Sequence, residues 1–102
     1  MSYVEVYCQA VRADIANNAW DETYFSLLSL KEQMQALPGW QRFELWATPL
    51  ATGSIRVLAV TNWANRAYLA AWLGTDYTVD AILRAMTPPP LAIEVEIYEG
   101  II

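Results

Sequence analysis

A single α+β domain with element order β-α-β-β-α-β is the fold predicted for this 102-residue chain. Three observations predict it. Four segments alternate apolar and polar residues with the period of two that marks half-buried strands. Between the first and second of them, and again between the third and fourth, apolar residues recur at steps of three and four, the spacing of an amphipathic helix. The second and third strand segments are joined by a short polar stretch, so they pair as a hairpin. Two helical crossovers and one hairpin give a ferredoxin-like antiparallel sheet with the helices on one face.

The first strand covers residues 3–11 (YVEVYCQAV), with Val4, Val6, Cys8 and Ala10 expected on the helical side and Tyr3, Glu5, Tyr7 and Gln9 on the other. Asp14 to Asn18 carry turn and cap chemistry, and Asn17 or Asn18 is the expected N-cap. Asp21 and Glu22 suit the positive end of the helix that follows. Its apolar stripe is Trp20, Tyr24, Leu27, Leu30, Met34 and Leu37, about five turns. Pro38 and Gly39 stop it, because proline cannot continue a helix and glycine tolerates left-handed geometry.

Residues 40–47 (WQRFELWA) alternate again, Phe43 and Leu45 against Trp40, Arg42, Glu44 and Trp46. Thr48 to Ser54, with Pro49 and Gly53, reads as the hairpin loop. Residues 55–63 (IRVLAVTNW) are more apolar and are expected to be a central strand. Asn65 caps a second helix that ends at Gly74, with Ala67, Leu69, Ala70 and Leu73 inside. Thr75 or Asp76 opens a further turn or two, to about Met86. Pro88, Pro89 and Pro90 enforce an extended break before the last strand, residues 91–99 (LAIEVEIYE). There Leu91, Ile93, Val95 and Ile97 oppose Glu94, Glu96 and Tyr98.

Composition limits the function. Six basic residues face eleven acidic ones, a net charge of −5. Such a balance lacks the basic footprint that nucleic acid requires, and it disfavours anionic membrane surfaces. No apolar run approaches the ~18 residues of a membrane span. The N-terminus has neither the basic start nor the small-residue cleavage site of a signal peptide, so a cytoplasmic protein is expected. With no histidine there is no Ser-His-Asp triad, no Cys-His pair and no imidazole zinc site. The single cysteine, Cys8, forms no internal disulfide and reads as a small hydrophobe in a strand.

Hydrophobic residues are 56% of the chain and mean hydropathy is +0.20, high for a domain of 11.5 kDa. Some apolar surface should therefore meet another molecule. The sheet face away from the helices is where it would lie: Tyr3, Glu5, Tyr7, Arg42, Glu44, Trp46, Arg56, Leu58, Val60, Glu94, Glu96 and Tyr98 mix aromatic, aliphatic and charged groups. A solvated face is one reading. A homodimer through this open face is the sharper one, with Arg42 and Arg56 meeting acidic residues across a two-fold axis.

Several of these segments resemble a known family. The run Leu37-Pro38-Gly39-Trp40, the strand Phe43-Glu44-Leu45-Trp46, and Asn62-Trp63 followed by a capped helix (Ala64 to Leu69) are similar to the antibiotic biosynthesis monooxygenase-like family of dimeric α+β barrels. That resemblance implies two ferredoxin-like sheets closing into a barrel, with a pocket between sheet and helices in each subunit. It also implies chemistry without a cofactor: some members oxidise polycyclic phenols to quinones, whereas haem-degrading members need a histidine that this chain lacks. Other relatives isomerise small lactones. Of the residues lining the quinone-forming pocket, the tryptophan corresponds to Trp63. The asparagine position holds Ala59, with Asn62 nearby but on the opposite strand parity. Tyr68 stands one position from the helix aromatic.

The candidate catalytic residues are therefore Trp63, Tyr68 and Asn62, and the candidate substrate-binding residues are Trp20, Tyr24, Trp72, Tyr77 and Arg66. Aromatic walls suit a small apolar or aromatic ligand, and Tyr68, Asn62, Arg66 or Tyr24 would supply a polar tip. Each residue also has a plainer role: Trp63, Trp20 and Tyr24 as core, Asn62 as a cap or dimer contact, Arg66 as a solvated charge. A cofactor-independent monooxygenase-like enzyme, a non-catalytic ligand-binding or stress-response dimer, and a lactone isomerase-like enzyme all fit this scaffold. No metal site is expected.

Overall fold

The computed structural model describes residues 5–101. Strand β1 spans Glu5–Ile15, and a 3₁₀ turn at Asn17–Ala19 leads into helix α1, Trp20–Met34. Strands β2 (Trp40–Pro49) and β3 (Ile55–Trp63) form the hairpin. Helices α2 (Arg66–Leu73) and α3 (Val79–Arg84) precede strand β4, Ala92–Ile101. The strands form one sheet in the order β2-β3-β1-β4, with every neighbouring pair antiparallel. The ferredoxin-like reading is the observed fold, and β3 lies in the interior of the sheet.

The core is built in rows across the sheet. Leu45, Ala59, Val11 and Val95 stand side by side, as do Ala47, Val57, Ala13 and Ile93. Leu27, Leu30 and Met34 of α1, Leu69 and Trp72 of α2, and Val79 and Leu83 of α3 are buried above them. The faces expected for β2, β3 and β4 hold with one exception, Trp40. A bulge between Trp40 and Arg42 puts Trp40 opposite Trp63, so its ring packs on the core instead of lying with Arg42.

The parity expected for β1 is reversed. Tyr7, Gln9, Val11, Ala13 and Ile15 are buried on the helical side, while Cys8, Ala10, Arg12 and Asp14 belong to the other face. The strand continues to Ile15, beyond the predicted end, and Val11, Ala13 and Ile15 bury more apolar surface than Cys8 and Ala10 could. A one-residue change of register exchanges the faces of the whole strand, so the longer apolar set decides. The expectations for Tyr3 and Val4 lie outside the described residues, as do those for the side chains of Glu5 and Val6.

The helix termini differ from expectation in detail. Asn17 and Asn18 form the 3₁₀ turn instead of a cap, α1 begins after Ala19, and no side chain caps it. Thr23 instead donates its hydroxyl to the Ala19 carbonyl at 2.7 Å. Helix α1 ends at Met34, three residues before Leu37, and Leu37 lies at the rim. Thr48 and Pro49 belong to β2, which shortens the loop. Asn65 caps α2 as expected, its Oδ1 accepting from the Tyr68 amide at 3.0 Å, and Gly74 ends the helix. Thr78, and neither Thr75 nor Asp76, caps α3.

On the open face the charges pair within the chain: Arg12 with Glu94, Arg42 with Glu44 at 2.6 Å, and Arg56 with Asp14 through two bonds of 2.7 and 3.1 Å. The Arg56 hydrogen bond holds the Asp14 carboxyl below the usual carboxylate range and the Arg56 guanidinium above its own. A carboxyl with a lowered folded-state pKa stabilises the fold fully above the free value, about 4, and that contribution is lost as pH falls through the lowered value. The gap in melting temperature between wild type and Asp14→Asn should therefore stay level from about pH 8 to pH 5 and close below about pH 3. A gap that widens on acidification would contradict this pairing. Burial raises the Cys8 thiol, so it stays protonated and unreactive near neutrality.

Candidate functional site

The end of β3 and the start of α2 meet the loop that follows α1. Ala64 donates its backbone N–H to the Gly39 carbonyl at 2.8 Å, which ties the two corners together. Between them lies a hollow of about 240 Å³ walled by Leu37, Pro38, Trp63, Tyr68, Ala71, Trp72 and Thr75. Trp63 is fully buried and donates Nε1–H to Thr61 Oγ1 at 3.1 Å. Its ring stacks on Trp72 with centroids 5.0 Å apart and planes 30° from parallel. Trp72 in turn donates Nε1–H to the Tyr77 carbonyl at 3.1 Å, and Thr75 donates its hydroxyl to the Trp72 carbonyl at 2.7 Å. Both indoles are thus fixed at one edge and packed against each other, and they give the hollow a rigid wall.

Tyr68 closes the hollow on the solvent side, with 40% of its surface exposed. It carries the only ionisable side chain among the described lining residues. Its ring lies against the backbone of Gly39, where φ is +79° and an added Cβ would overlap Cδ2, Cγ and Cβ of Tyr68. Gly39 is therefore needed twice, for the left-handed turn and for the close approach. Gly39→Ala should cost at least about 2 kcal/mol and displace Tyr68. Gly53, at φ +87° with open space around it, is the control, and Gly53→Ala should cost only about 1 kcal/mol. Equal losses in urea unfolding would argue against the Gly39–Tyr68 contact.

Of the candidate residues, the structure brings Trp63, Tyr68 and Trp72 together. Tyr77 meets them through its backbone carbonyl, while its ring lines a wider groove of about 560 Å³ between α1 and α3, with Glu22, Phe25 and Asp76. That groove is the larger space and has Phe25 and Tyr77 on its walls, but it is an open trough. Trp20 and Tyr24 sit together on α1 with ring centroids 5.8 Å apart and do not line the hollow. Arg66 pairs with Glu99 and lies 5.8 Å over the Tyr7 ring, at a second hollow of about 180 Å³ between α2 and β4. Asn62 faces away from the helices, in register with Cys8 and Arg42.

Sequence reading missed Leu37, Pro38, Ala71 and Thr75 as walls. One signal was available: Tyr68, Ala71 and Trp72 follow helical spacing on one side of α2, and Thr75 continues it just past the helix end. It also missed two buried polar atoms without partners, Gln9 Oε1 and Trp40 Nε1, both beneath the helices. Among the described residues no group of three or more Cys, Asp or Glu is placed to hold a metal ion. No helix among them is long and apolar enough to cross a membrane.

No protein-family profile matches the chain, and no curated protein matches it in sequence. Solved structures match its fold over nearly the whole length. A protein from Shewanella oneidensis superposes with a TM-score of 0.72 at 19% identity, over 99% of this chain and 99% of that one. A candidate antibiotic biosynthesis monooxygenase from Nitrosomonas europaea gives 0.71 at 20% identity, over 93% and 89% of the two chains. Another from Caulobacter crescentus gives 0.70 at 21%, over 95% and 91%. At these identities the likeness is one of fold. The chain shares the helix-backed, four-stranded architecture of structures carrying the name of the family its sequence resembles.

Proposed function

We propose that the chain is a cofactor-independent monooxygenase-like enzyme acting on a small phenolic substrate in the hollow walled by Trp63, Tyr68 and Trp72. The observation that carries this reading is the combination in one hollow of two fixed, stacked indoles and one tyrosine hydroxyl. The indole pair gives a flat ring a rigid apolar wall to pack against, and Tyr68 reaches it with a hydrogen bond. At about 30 Å³ per water the hollow holds the volume of about eight waters, which suits one aromatic ring better than several. The Tyr68 hydroxyl stabilises the phenolate as it forms, and the walls keep the ring oriented and dry. The phenolate supplies the electrons that reduce oxygen. One oxygen atom becomes the new carbonyl of the quinone, and the other leaves as water with the two hydrogens the phenol loses.

The same reading makes the working unit a homodimer joined through the open sheet faces. With Arg12, Arg42 and Arg56 neutralised inside the chain, that face presents Trp46, Leu58, Val60 and Tyr98, and Trp46 is 62% exposed. The chain exposes 6343 Å², against about 5,800 Å² for a monomer of its mass. Its radius of gyration is 14.2 Å, against about 12.8 Å for a compact domain of its length. A slab with extra apolar surface is what half of a paired assembly looks like.

Oxygen uptake tests the enzyme. Chelator-treated protein given a panel of single-ring and fused-ring phenols should consume oxygen, and Tyr68→Phe should slow this about 10²-fold or more without abolishing binding. Quenching of tryptophan fluorescence by the phenols with no oxygen uptake would instead identify a binding protein, a reading favoured by the lack of any charged wall in the hollow.

A further inference from the structure

The wider groove between α1 and α3, about 560 Å³, takes no part in the reaction proposed for the hollow. One side of it is a stripe of α1 from Glu22 to Gln33, about 16 Å of helix. Thr75 walls the hollow with Leu37 and Pro38, beyond the end of α1, so Asp76 and Tyr77 enter the groove at its Gln33 end. Each end of the groove thus carries one carboxylate and one aromatic ring, Glu22 with Phe25 and Asp76 with Tyr77. Phe25 is 66% exposed and Tyr77 63%. Short side chains, Ser26, Ser29, Ala81 and Ala85, line the stretch between them and leave room for a backbone to approach. Exposed apolar surface of this kind marks an interaction site, and a trough between two helices is shaped to receive a third.

Charge decides which helix. Arg12, Arg42, Arg56 and Arg66 each pair with an acid elsewhere, and Lys31 and Arg84 do not line the groove. Among the described residues neither Glu22 nor Asp76 has an ion-pair partner. The groove is therefore negative at both ends, on a chain of net charge −5. A helix of a second copy does not match it: α1, α2 and α3 carry a single cation each, Lys31, Arg66 and Arg84. We propose that the α1–α3 groove docks a basic amphipathic helix of a different protein, with two cations about three turns apart on one face and small or aliphatic residues between them. The cations meet Glu22 and Asp76, and the apolar residues pack against Phe25 and Tyr77. This docking is independent of the reaction in the hollow.

The probe is a synthetic alanine–glutamine helix of about 18 residues, with two lysines about eleven positions apart on one face and two leucines between them. A sister peptide has glutamate in place of both lysines. Titrated at low salt into isotope-labelled protein, the lysine peptide should shift the NMR amide signals of α1 and α3 and leave those of the open sheet face unchanged. It should bind at least about tenfold more tightly than the glutamate peptide. The double variant Glu22→Lys, Asp76→Lys should reverse that order. The double variant Phe25→Ser, Tyr77→Ser should weaken the lysine peptide about tenfold or more. All four side chains are exposed, so both variants should melt close to wild type. Failure of the lysine peptide to bind, equal binding of the two peptides, shifts centred on the open face, or an unchanged order in the lysine variant would overturn the proposal. Groove amides that move on dilution of the protein alone would identify a second copy as the occupant and would overturn it as well.

Discussion

Trp63→Ala is expected to lower stability by about 3–5 kcal/mol, among the largest single-residue effects in the chain. Trp63 is 1% exposed, stacks on Trp72 and sits between the sheet and α2. Removing the indole opens a cavity that the packed rows of β3 and β1 cannot collapse to fill. It also leaves the second wall of the hollow without its partner. In urea titration the midpoint should fall with little change in slope, and ligand quenching of tryptophan fluorescence should disappear. Trp63→Phe keeps a ring against Trp72 and should cost less than about 2 kcal/mol. If Trp63→Ala unfolds at nearly the wild-type midpoint, the indole is not the anchor of this corner.

If the chain pairs through its open sheet face, as proposed, Leu58→Arg should convert that dimer into a monomer. Leu58 lies at the middle of the open face, between a shallow hollow it shares with Trp46 and another it shares with Tyr98. A two-fold axis places every substitution in the interface twice. Two added guanidinium groups, each set beside Arg12 on the neighbouring strand, would have to be desolvated in the contact, so association should weaken by at least about a hundredfold. Sedimentation at micromolar concentration should report twice the chain mass of 11.5 kDa for wild type and the single chain mass for the variant. Because Leu58 points away from the helices, the melting transition of the isolated subunit should survive. A wild-type chain that sediments as a monomer would remove the paired-sheet arrangement.

Much of this fold is legible in the sequence, for reasons that differ by element. Strand β3 is read to the residue at both ends, because a polar loop precedes it and Asn65 caps the helix that follows. Asn65 and Gly74 bound α2 because cap chemistry is local and needs no knowledge of distant neighbours. The face of β1 is not legible, since it depends on where the strand ends and on which partners stand beside it. Val11, Ala13 and Ile15 outweigh Cys8 and Ala10 only once β3 and β4 are in place. Trp40 is misread for a related reason: a bulge is a property of two strands, and alternation within one cannot show it.

The same division applies to the hollow. Trp63, Tyr68 and Trp72 come together because a strand end and the first turns of the next helix are neighbours in sequence and in space. Trp20, Tyr24 and Tyr77 share the aromatic character of those walls, but their distance from the hollow is set by how α1 and α3 lie on the sheet. Gln9 escapes notice because the misread parity of β1 turns it toward the face away from the helices. The pairing of Arg56 with Asp14 likewise required Asp14 to be a strand residue instead of part of a turn.

The most direct measurement of the central claim follows the oxygen atom. Chelator-treated protein would be incubated with a phenol under ¹⁸O₂ in ordinary water, and the product collected for mass spectrometry before its carbonyls exchange with solvent. Oxidation directed by Trp63, Tyr68 and Trp72 predicts a quinone carrying one heavy oxygen, heavy water as the other product, and loss of both signals in Trp63→Ala. A product labelled from solvent water, or labelled product formed equally well by Trp63→Ala, would contradict it.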